Sequence, residues 1–263
     1  FPSFSSVSLS VSRMQHKSRG RAVRSPHKPG EGNTVIHQQS RAEQSMAPVK
    51  VLGSAAFTNV ARVLVCLEEV GAEYEIVDVD FHAREQKGPD HPARNPFGQV
   101  PAFQDGDLTL FQSRAISRYV LRKHRTDEVN LLREGDPKES ALVDVWLDVE
   151  ALNFDPAMRS VFYQHRVAPA LGRIPDEKII GESVEKLRKV LEVYEAQLTK
   201  HRYLAGDFLS LVDLSHFPET HYFMGMPYAA VFDAYPRVRA WLEELFDRPA
   251  VKKVISLMAQ DFN

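Results

Sequence analysis

Cysteine is nearly absent from this chain of 263 residues, which contains Cys66 and no other. One cysteine excludes an internal disulfide and a zinc site of the usual multi-cysteine kind. The ten histidines show no HExxH or similar ligand spacing, so the sequence predicts no metal site. The sequence also lacks any apolar run near the length of about 18 residues that crosses a bilayer, which argues against a membrane protein.

Most of the chain has no excess of basic over acidic residues. Residues 1–45 have seven Lys/Arg, two acidic residues and ten serines, whereas residues 46–263 have 26 basic and 33 acidic residues. The acidic body argues against nucleic acid as a partner. Residues 1–45 resemble an organelle transit peptide in composition, which predicts a plastid; the alternative is a disordered extension on a cytoplasmic protein, which we favour.

From Val49 onward the pattern predicts a small α/β unit. The hairpin is indicated by two β-rich runs around an Asp-Gly turn, and the last helix is predicted to have Ser113 at its N-cap. In order, the predicted elements are a strand at 49–52, a helix ended by Gly71, a strand at 74–81, a hairpin at 99–111 and a helix at 113–124.

Beyond residue 135 the strand signals stop and the periodicity is helical. Asp136-Pro137 predicts the start of a helix. Ser210-x-x-Asp213 has the form of a capping box, so we expect a structural role for Asp213. One helix is predicted at 185–198 from its apolar stripe, which consists of Leu187, Val190, Leu191, Tyr194 and Leu198.

Three stretches carry a resemblance to a known family, namely GSAAFTNVAR (53–62), RNPFGQVPAFQDGDLTLFQSRAI (94–116) and KVLEVYEAQLTKHRYLAGDFLSLVDLSH (189–216). They resemble the phi class of plant glutathione transferases, and the similarity runs from Met46 almost to the end. The resemblance implies a homodimer with the glutathione site beside its interface. It also implies three segments: a thioredoxin-like domain at 46–128, a linker at 129–135 and an all-helical domain at 136–263.

The resemblance places several glutathione contacts on the hairpin. A cis Val100–Pro101 bond would turn the Val100 backbone toward the cysteinyl unit of glutathione, with Gln99 beside it. Ser113 would offer a hydroxyl, a backbone N–H and a helix dipole to the γ-glutamyl carboxylate. Gln112 stands where the family usually has a glutamate, and it lacks the charge for the ligand's amine. An ordinary edge strand and a plain helix cap are the alternatives.

Another pair of contacts has also lost a charge. Gln86 and Lys87 lie where the family usually has a histidine and a lysine. Lys87 can meet the glycyl carboxylate as a cation, but Gln86 can do so only as a neutral donor. This exchange lowers the contribution of the hydrogen bond from about 1.5–3 kcal/mol to roughly 1 kcal/mol, so we expect weaker binding of glutathione. For Lys87 the alternative is a solvated loop lysine.

The usual donor to the thiol is replaced by Phe57. In the family a serine at this position donates its hydroxyl to the glutathione thiolate, and a phenyl ring has no such proton. Losing one charge-assisted bond raises the thiol pKa by roughly 1–2 units. The next helix still directs its N-terminal N–H groups at the site. Thr58 is the next hydroxyl and is either a substitute donor or a plain helix cap.

Five aromatic residues are candidates for an apolar electrophile pocket between the domains, or for the core: Phe57, Phe81, Phe154, Phe162 and Tyr163. The resemblance thus predicts an enzyme that conjugates glutathione, its co-substrate, to small apolar electrophiles in detoxification and stress response, at a rate reduced by Phe57. One alternative is a glutathione- or apolar-ligand-binding protein with little turnover, which Phe57, Gln86 and Gln112 favour. Another is an interaction module on the same fold.

Overall fold

A four-stranded mixed sheet forms in the first part of the chain. The computed structural model describes residues 48–81, 83–88, 90–126 and 128–260. The predicted leader at 1–45 lies outside the described residues, and the domain boundaries at 128 and 136 stay predictions. The strands are β1 (Val49–Leu52), β2 (Tyr74–Val77), β3 (Ala102–Asp105) and β4 (Leu108–Phe111). Their spatial order is β2-β1-β3-β4, with β1 parallel to β2 and the other neighbours antiparallel.

The short β1 is the centre of this sheet because both of its edges are paired. Val51 is fully buried opposite Ile76 of β2 and Phe103 of β3. β2 is shorter than the alternating pattern at 74–81 predicts. It ends at Val77 because the Val79 N–H bonds to the Asp78 side chain at 2.9 Å instead of continuing the ladder.

The predicted hairpin is confirmed, but its turn is one residue later than expected. The two residues between β3 and β4 are Gly106 and Asp107. Gly106 has a φ of 59°, a left-handed conformation that glycine adopts without steric cost. Asp105, which we expected in the turn, instead ends β3 and accepts a hydrogen bond from Tyr119 at 2.7 Å.

Helix α1 (Thr58–Glu69) links the sheet to the helical half. Its residues from Val60 to Leu67 are all buried, which requires cover on every face. The cover comes from the sheet-side helix α2 (Ser113–Lys123) and from two helices of the second half, α7 (Leu211–Met224) and α9 (Pro249–Gln260). Helix α1 is therefore held by both parts of the chain.

The second half is helical, as predicted. Asp136 caps the first helix by accepting bonds from the N–H groups of Lys138 and Glu139. That helix continues through two π-helical turns, at Glu150–Phe154 and Tyr163–Val167. The remaining helices are α3 (Pro137–Val149), α4 (Asp155–Phe162), α5 (Ala168–Ala170), α6 (Glu177–Leu198) and α8 (Pro236–Asp247). None of the described helices is both long and apolar enough to cross a membrane.

The predicted capping box at the start of α7 is confirmed. The Ser210 side chain accepts from the Asp213 backbone N–H, and the Asp213 side chain accepts from the Ser210 backbone N–H. Both residues are fully buried. Asp213 also accepts a hydrogen bond from Trp241 Nε1 at 3.1 Å and from the Leu204 N–H at 3.3 Å. This carboxylate therefore ties the loop before α7 to α8.

His216, one turn into α7, gives a pH-dependent contribution to stability. Its Nδ1–H donates to the Val212 carbonyl at 2.7 Å, so Nε2 accepts from the Tyr194 hydroxyl at 2.9 Å. Burial lowers the pKa of His216 to about 4. An unfolded histidine has a pKa of about 6.5, so stability is complete above that pH and is lost as pH falls toward 4, because only the unfolded chain takes up the proton.

We therefore expect urea unfolding to show a loss of about 2 kcal/mol from this group between pH 7 and pH 5. Glu219, whose pKa is raised, has the opposite slope, so the comparison is with His216→Gln rather than with the wild type alone. The difference in free energy of unfolding between wild type and variant should shrink by that amount at the lower pH. Parallel pH profiles for the two proteins would contradict this assignment.

Candidate active site

The turn after β1 lies tightly between the sheet and α1. Gly53 has a φ of 129°, and a Cβ added there would lie 2.8 Å from Val100 Cβ. The Gly53 N–H bonds the Val77 carbonyl at 2.8 Å, and Ser54 Oγ accepts from the Ala56 N–H at 3.1 Å. Only glycine suits this close approach and this backbone conformation, so the turn is set directly against the loop before β3.

Helix α1 begins at Thr58. A helix capped by Thr58 would begin one residue later, at Asn59. Phe57 is the N-cap and makes no side-chain cap bond, so Thr58 as a plain cap is wrong. The Phe57 ring is 36% exposed and packs against Phe81, with the ring centres 4.3 Å apart. The Thr58 hydroxyl instead acts on the carboxyl group of Glu219 on α7, whose pKa it lowers as a hydrogen-bonding neighbour.

A cavity of about 690 Å³ opens at this turn and reaches the helical half. Three of the predicted pocket residues, Phe57, Phe81 and Phe162, share its lining with Thr58. The Ala56 carbonyl in this turn accepts a hydrogen bond from the Tyr222 hydroxyl of α7 at 2.7 Å. The full lining is Ser54, Ala56, Phe57, Thr58, Asp78, Val79, Asp80, Phe81, Phe162 and Val167.

Two of the five predicted pocket aromatics lie elsewhere. Phe154 is 1% exposed, stacks on Tyr194 and makes an edge-to-face contact with His216 in the helical core, so its assignment to the pocket is wrong. It belongs to the first π-helical turn, which rotates the residues that follow it relative to a regular helix. Tyr163 is outside the lining, and its hydroxyl accepts a bond from Arg173 at 3.0 Å.

The Val100–Pro101 peptide bond is cis, as the resemblance implies. The Gln99 carbonyl just before it accepts two hydrogen bonds, from His91 Nε2 at 2.9 Å and from Asn95 Nδ2 at 2.8 Å. Both donors are buried, and the Gln99 side chain is exposed. The backbone at 99–101 is thereby fixed beside the Gly53 turn.

Helix α2 begins at Ser113, and its N-cap is Gln112 rather than the predicted Ser113. Gln112 has a φ of 72° and a ψ of 105°, an uncommon conformation for a residue with a side chain and one that clusters at functional sites. The Ser113 hydroxyl accepts from Arg62 Nη1 at 3.0 Å and donates to Asn59 Oδ1 at 3.3 Å. Ser113 is thus hydrogen-bonded to Asn59 of α1, the residue that follows Thr58.

Gln86 and Lys87 lie in one short 3₁₀ turn, Glu85–Lys87. Lys87 Nζ donates to the Phe97 carbonyl at 2.9 Å. Gln86 Oε1 is buried and has no hydrogen-bond partner within the described ranges. A Cβ on Gly98 would lie 2.6 Å from the Gln86 carbonyl, so this turn packs directly on the loop that precedes Gln99.

A buried cluster of charges lies beneath α1, and sequence reasoning missed it. Arg62 is fully buried, donates to Asn59 Oδ1 at 2.7 Å, and has its Nη2 at 3.5 Å from Glu150, 3.6 Å from Asp155 and 3.7 Å from Glu219. Arg114 and Arg159 complete the cluster. Arg114 binds Glu150 through two bonds of 2.7 and 2.8 Å, and Arg159 lies 2.9 Å from Asp155.

This arrangement shifts two carboxyl groups in opposite directions. Burial alone would raise the pKa of Asp155, but Arg62, Arg159 and Arg114 lower it below its ordinary value. Burial raises the pKa of Glu219 to about 7, and Arg62 offsets only part of that effect. A carboxyl group that titrates near neutrality, next to one that stays ionised, is typical of sites that handle protons.

Cys66 is a packed core residue, as predicted. It is fully buried in α1, its Sγ donates to the Arg62 carbonyl at 3.4 Å, and burial raises its pKa to about 12. A thiol with that pKa is not a nucleophile at neutral pH. Any reactive thiol at this cavity must therefore come from a ligand. The described residues contain no group of three or more His, Cys, Asp or Glu able to hold a metal ion.

Two family models match this chain. The model described as "Glutathione S-transferase, N-terminal domain" matches residues 47–122, and the one described as "Glutathione S-transferase, C-terminal domain" matches residues 158–249. A protein of Oryza sativa subsp. japonica, named probable glutathione S-transferase GSTF1, is 60% identical over 215 residues, which cover 81% of this chain and 98% of the rice protein.

Solved structures give the same result. Glutathione S-transferase I from maize, in complex with an atrazine glutathione conjugate, is 52% identical with a TM-score of 0.77 and covers 81% of this chain and 99% of its own. Glutathione transferase F7 from Populus trichocarpa is 47% identical with a TM-score of 0.78 and covers 80% of this chain and 99% of its own.

Proposed function

The chain belongs to the phi class of the plant glutathione S-transferases, and we propose that it conjugates glutathione to apolar electrophiles at the cavity beside Phe57. It has the thioredoxin-like sheet half and the all-helical half of that family's fold. Glutathione is the co-substrate and supplies the nucleophilic sulfur, so the protein's part is to bind, orient and ionise it.

The observation that carries this proposal is the position of the α1 N-terminus. The first N–H groups of a helix have no partner within it and favour negative charge nearby. At Phe57 and Thr58 they open onto a cavity with an aromatic lining. A thiolate at the turn and an apolar acceptor against Phe81 and Phe162 would lie side by side, as nucleophilic attack requires.

The remaining glutathione contacts follow the two loops that flank the turn. We place the cysteinyl backbone against Val100, beside Gln99 and the cis Pro101. The γ-glutamyl end lies at the N-terminus of α2, with Gln112 and Ser113, and the glycyl carboxylate lies near Gln86 and Lys87. Ser113 supports this placement because its hydroxyl already joins the Asn59 side chain of α1. Gln86 would meet that carboxylate through its side-chain amide N–H groups, as a neutral donor.

The alternative with specific support is a binding protein with little turnover. Phe57, Gln86 and Gln112 each replace a group that would strengthen glutathione binding or ionisation. Two measurements separate the possibilities. Retention on immobilised glutathione excludes a mere interaction module, and conjugation of an electrophilic aryl halide above the uncatalysed rate establishes the enzyme. Retention without conjugation would favour the binding protein.

Restoring one missing charge should strengthen glutathione binding. In Gln112→Glu a carboxylate can pair with the amine of the γ-glutamyl unit, which replaces a neutral bond by a charge-assisted one. The difference of about 0.5–2 kcal/mol corresponds to a dissociation constant lowered by about twofold to about thirtyfold. Calorimetric titration measures it. An analogue of glutathione without the amino group is the control, because its affinity should not change.

If Gln112→Glu tightens glutathione and the deaminated analogue equally, the amine is not the partner of this position. If it tightens neither, the γ-glutamyl unit does not lie at the start of α2.

The proposal includes a homodimer in the cytoplasm; a plastid location is the alternative. Large apolar side chains stand exposed on the loop before β3 and on two helices, which favours cover by a second copy. They are Phe97, Leu142, Val145, Leu152 and Val193, of which Leu152 is the most exposed at 73%.

A further inference from the structure

Thr58 and Glu219 connect the cavity to the buried charge cluster. Thr58 lines the cavity at the turn where the proposed function places the glutathione sulfur. Its hydroxyl acts on the Glu219 carboxyl group of α7 as a hydrogen-bonding neighbour and lowers the pKa of that group. The Thr58 hydroxyl thus stands between a ligand at the turn and a carboxyl group that its own surroundings shield from water.

Glu219 has room for a proton. Its side chain is 9% exposed, and its Oε1 atom has no hydrogen-bond partner in the part of the chain that the structure describes. The nearest cations, Arg62 and Arg159, are 3.7 and 3.8 Å from that atom, beyond a normal hydrogen bond. Asp155, the other carboxyl group that faces Arg62 at this point, stays ionised.

We propose that Glu219 takes up the proton of the glutathione thiol, passed through the Thr58 hydroxyl, so that the thiolate forms without releasing a proton to water. This inference rests on the proposed function. The S–H bond of glutathione breaks as its proton joins Thr58 Oγ1, and the original Thr58 proton forms an O–H bond on Glu219. One thiol and one carboxylate become one thiolate and one carboxylic acid, with no change in total charge.

The charges of the cluster favour this transfer. Three arginines, Arg62, Arg114 and Arg159, face three carboxyl groups, so the cluster is neutral when all of them are ionised. A protonated Glu219 leaves one positive charge in excess beneath the turn, at the moment when the thiolate appears above it. Afterwards Thr58 donates its new proton to the thiolate and accepts from Glu219, which makes it the substitute for the absent serine.

Burial raises the pKa of Glu219 to about 7, close enough to a thiol near 8.5 for the proton to be shared. The two groups then titrate as a pair, and between their apparent pKa values the thiolate fraction should be nearly independent of pH. The titratable, charged and polar groups that face Glu219 are Thr58 and Arg62 on α1, Arg114 on α2, and Asp155 and Arg159 on α4.

The decisive experiment compares the number of protons released to solvent with the number of thiolates formed. Glutathione is added to the full chain at about pH 8, one unit above the pKa of Glu219. Thiolate is read by its ultraviolet absorbance, and released protons are read by an indicator dye. The analogue with alanine in place of cysteine corrects for other protons linked to binding. The wild type should release clearly fewer protons than thiolates formed, and Glu219→Gln should release one for each.

Two further measurements keep the result independent of how well Glu219→Gln folds. In the wild type, infrared difference spectra should show a protonated carboxyl band with glutathione and none with the alanine analogue. Thr58→Val should lower the thiolate fraction about tenfold, the loss expected for one charge-assisted bond, whereas Thr58→Ser should keep it.

One proton released per thiolate in the wild type, or an absent carboxyl band, would overturn the role of Glu219. An unchanged thiolate fraction in Thr58→Val would overturn the route through Thr58. If the chain binds and conjugates glutathione in either case, the proposed function stands and only this inference fails. If it binds no glutathione at all, the proposed function itself fails.

Discussion

Phe57→Ser is expected to increase the rate of conjugation at neutral pH by about tenfold or more. A serine hydroxyl at this N-cap can accept a helix N–H with its lone pair and still donate its proton to the sulfur. One charge-assisted bond of about 1.5–3 kcal/mol lowers the thiol pKa by roughly 1–2 units. While most of the thiol is protonated, the thiolate fraction rises by the same factor. The measurements are the pH profile of kcat and the titration of bound glutathione.

Phe57→Ala is the matched control, because it removes the ring without adding a hydroxyl. The ring packs on Phe81 and lines the cavity, so its loss alone can change access or affinity for the electrophile. We expect the alanine variant to alter KM for the electrophile and to leave the thiol pKa unchanged. If serine and alanine accelerate conjugation equally, Phe57 acts through bulk. If neither variant changes the thiol pKa, the sulfur is not at this position.

Arg62→Met is expected to lower the free energy of unfolding by about 3–5 kcal/mol, the usual cost of removing one partner from a buried ionic cluster. The side chain is fully buried and faces three carboxyl groups within 3.7 Å. Methionine fills a similar volume but leaves those carboxylates with fewer cations. Urea unfolding at pH 7.5 measures the loss. Glutathione affinity should fall as well, because Arg62 holds Ser113 at 3.0 Å.

The pH dependence identifies charge as the cause of that loss. Without Arg62 the carboxyl groups have higher pKa values in the folded state than in the unfolded chain, so the folded variant takes up more protons as pH falls. The deficit relative to wild type should therefore be smaller at pH 5.5 than at pH 7.5. Arg188→Met is the control, since its pair with Glu185 is exposed and contributes less than about 1 kcal/mol. An Arg62 variant as stable as this control would refute the account.

Local patterns in the sequence predicted most of the fold. The hairpin, the stripe on α6 and the capping box at Ser210 depend on neighbours in the chain, and each is present. The family resemblance, which the comparisons confirm, predicted the cis peptide bond between Val100 and Pro101. The shorter β2 and the shifted hairpin turn differ because side chains at Asp78 and Asp105 take local or tertiary partners.

The interior of the site could not be predicted in the same way. Arg62, Glu150, Asp155 and Glu219 come from three separate segments, and no spacing in the sequence signals that they meet. The cap expected at Ser113 is wrong, and so is the cap that was one alternative for Thr58, because Gln112 and Phe57 hold the two N-cap positions. The Ser113 hydroxyl accepts from the Arg62 side chain instead. Helical periodicity likewise could not reveal the π-helical turn that buries Phe154.

A crystal structure of the glutathione complex tests the central claim most directly. We expect the sulfur at the N-terminus of α1, within hydrogen-bonding distance of Thr58 Oγ1, with the Phe57 ring beside it against Phe81 and the cavity open toward Phe162. A sulfur located away from Thr58, or a Phe57 ring that fills the cleft and excludes the tripeptide, would contradict the account.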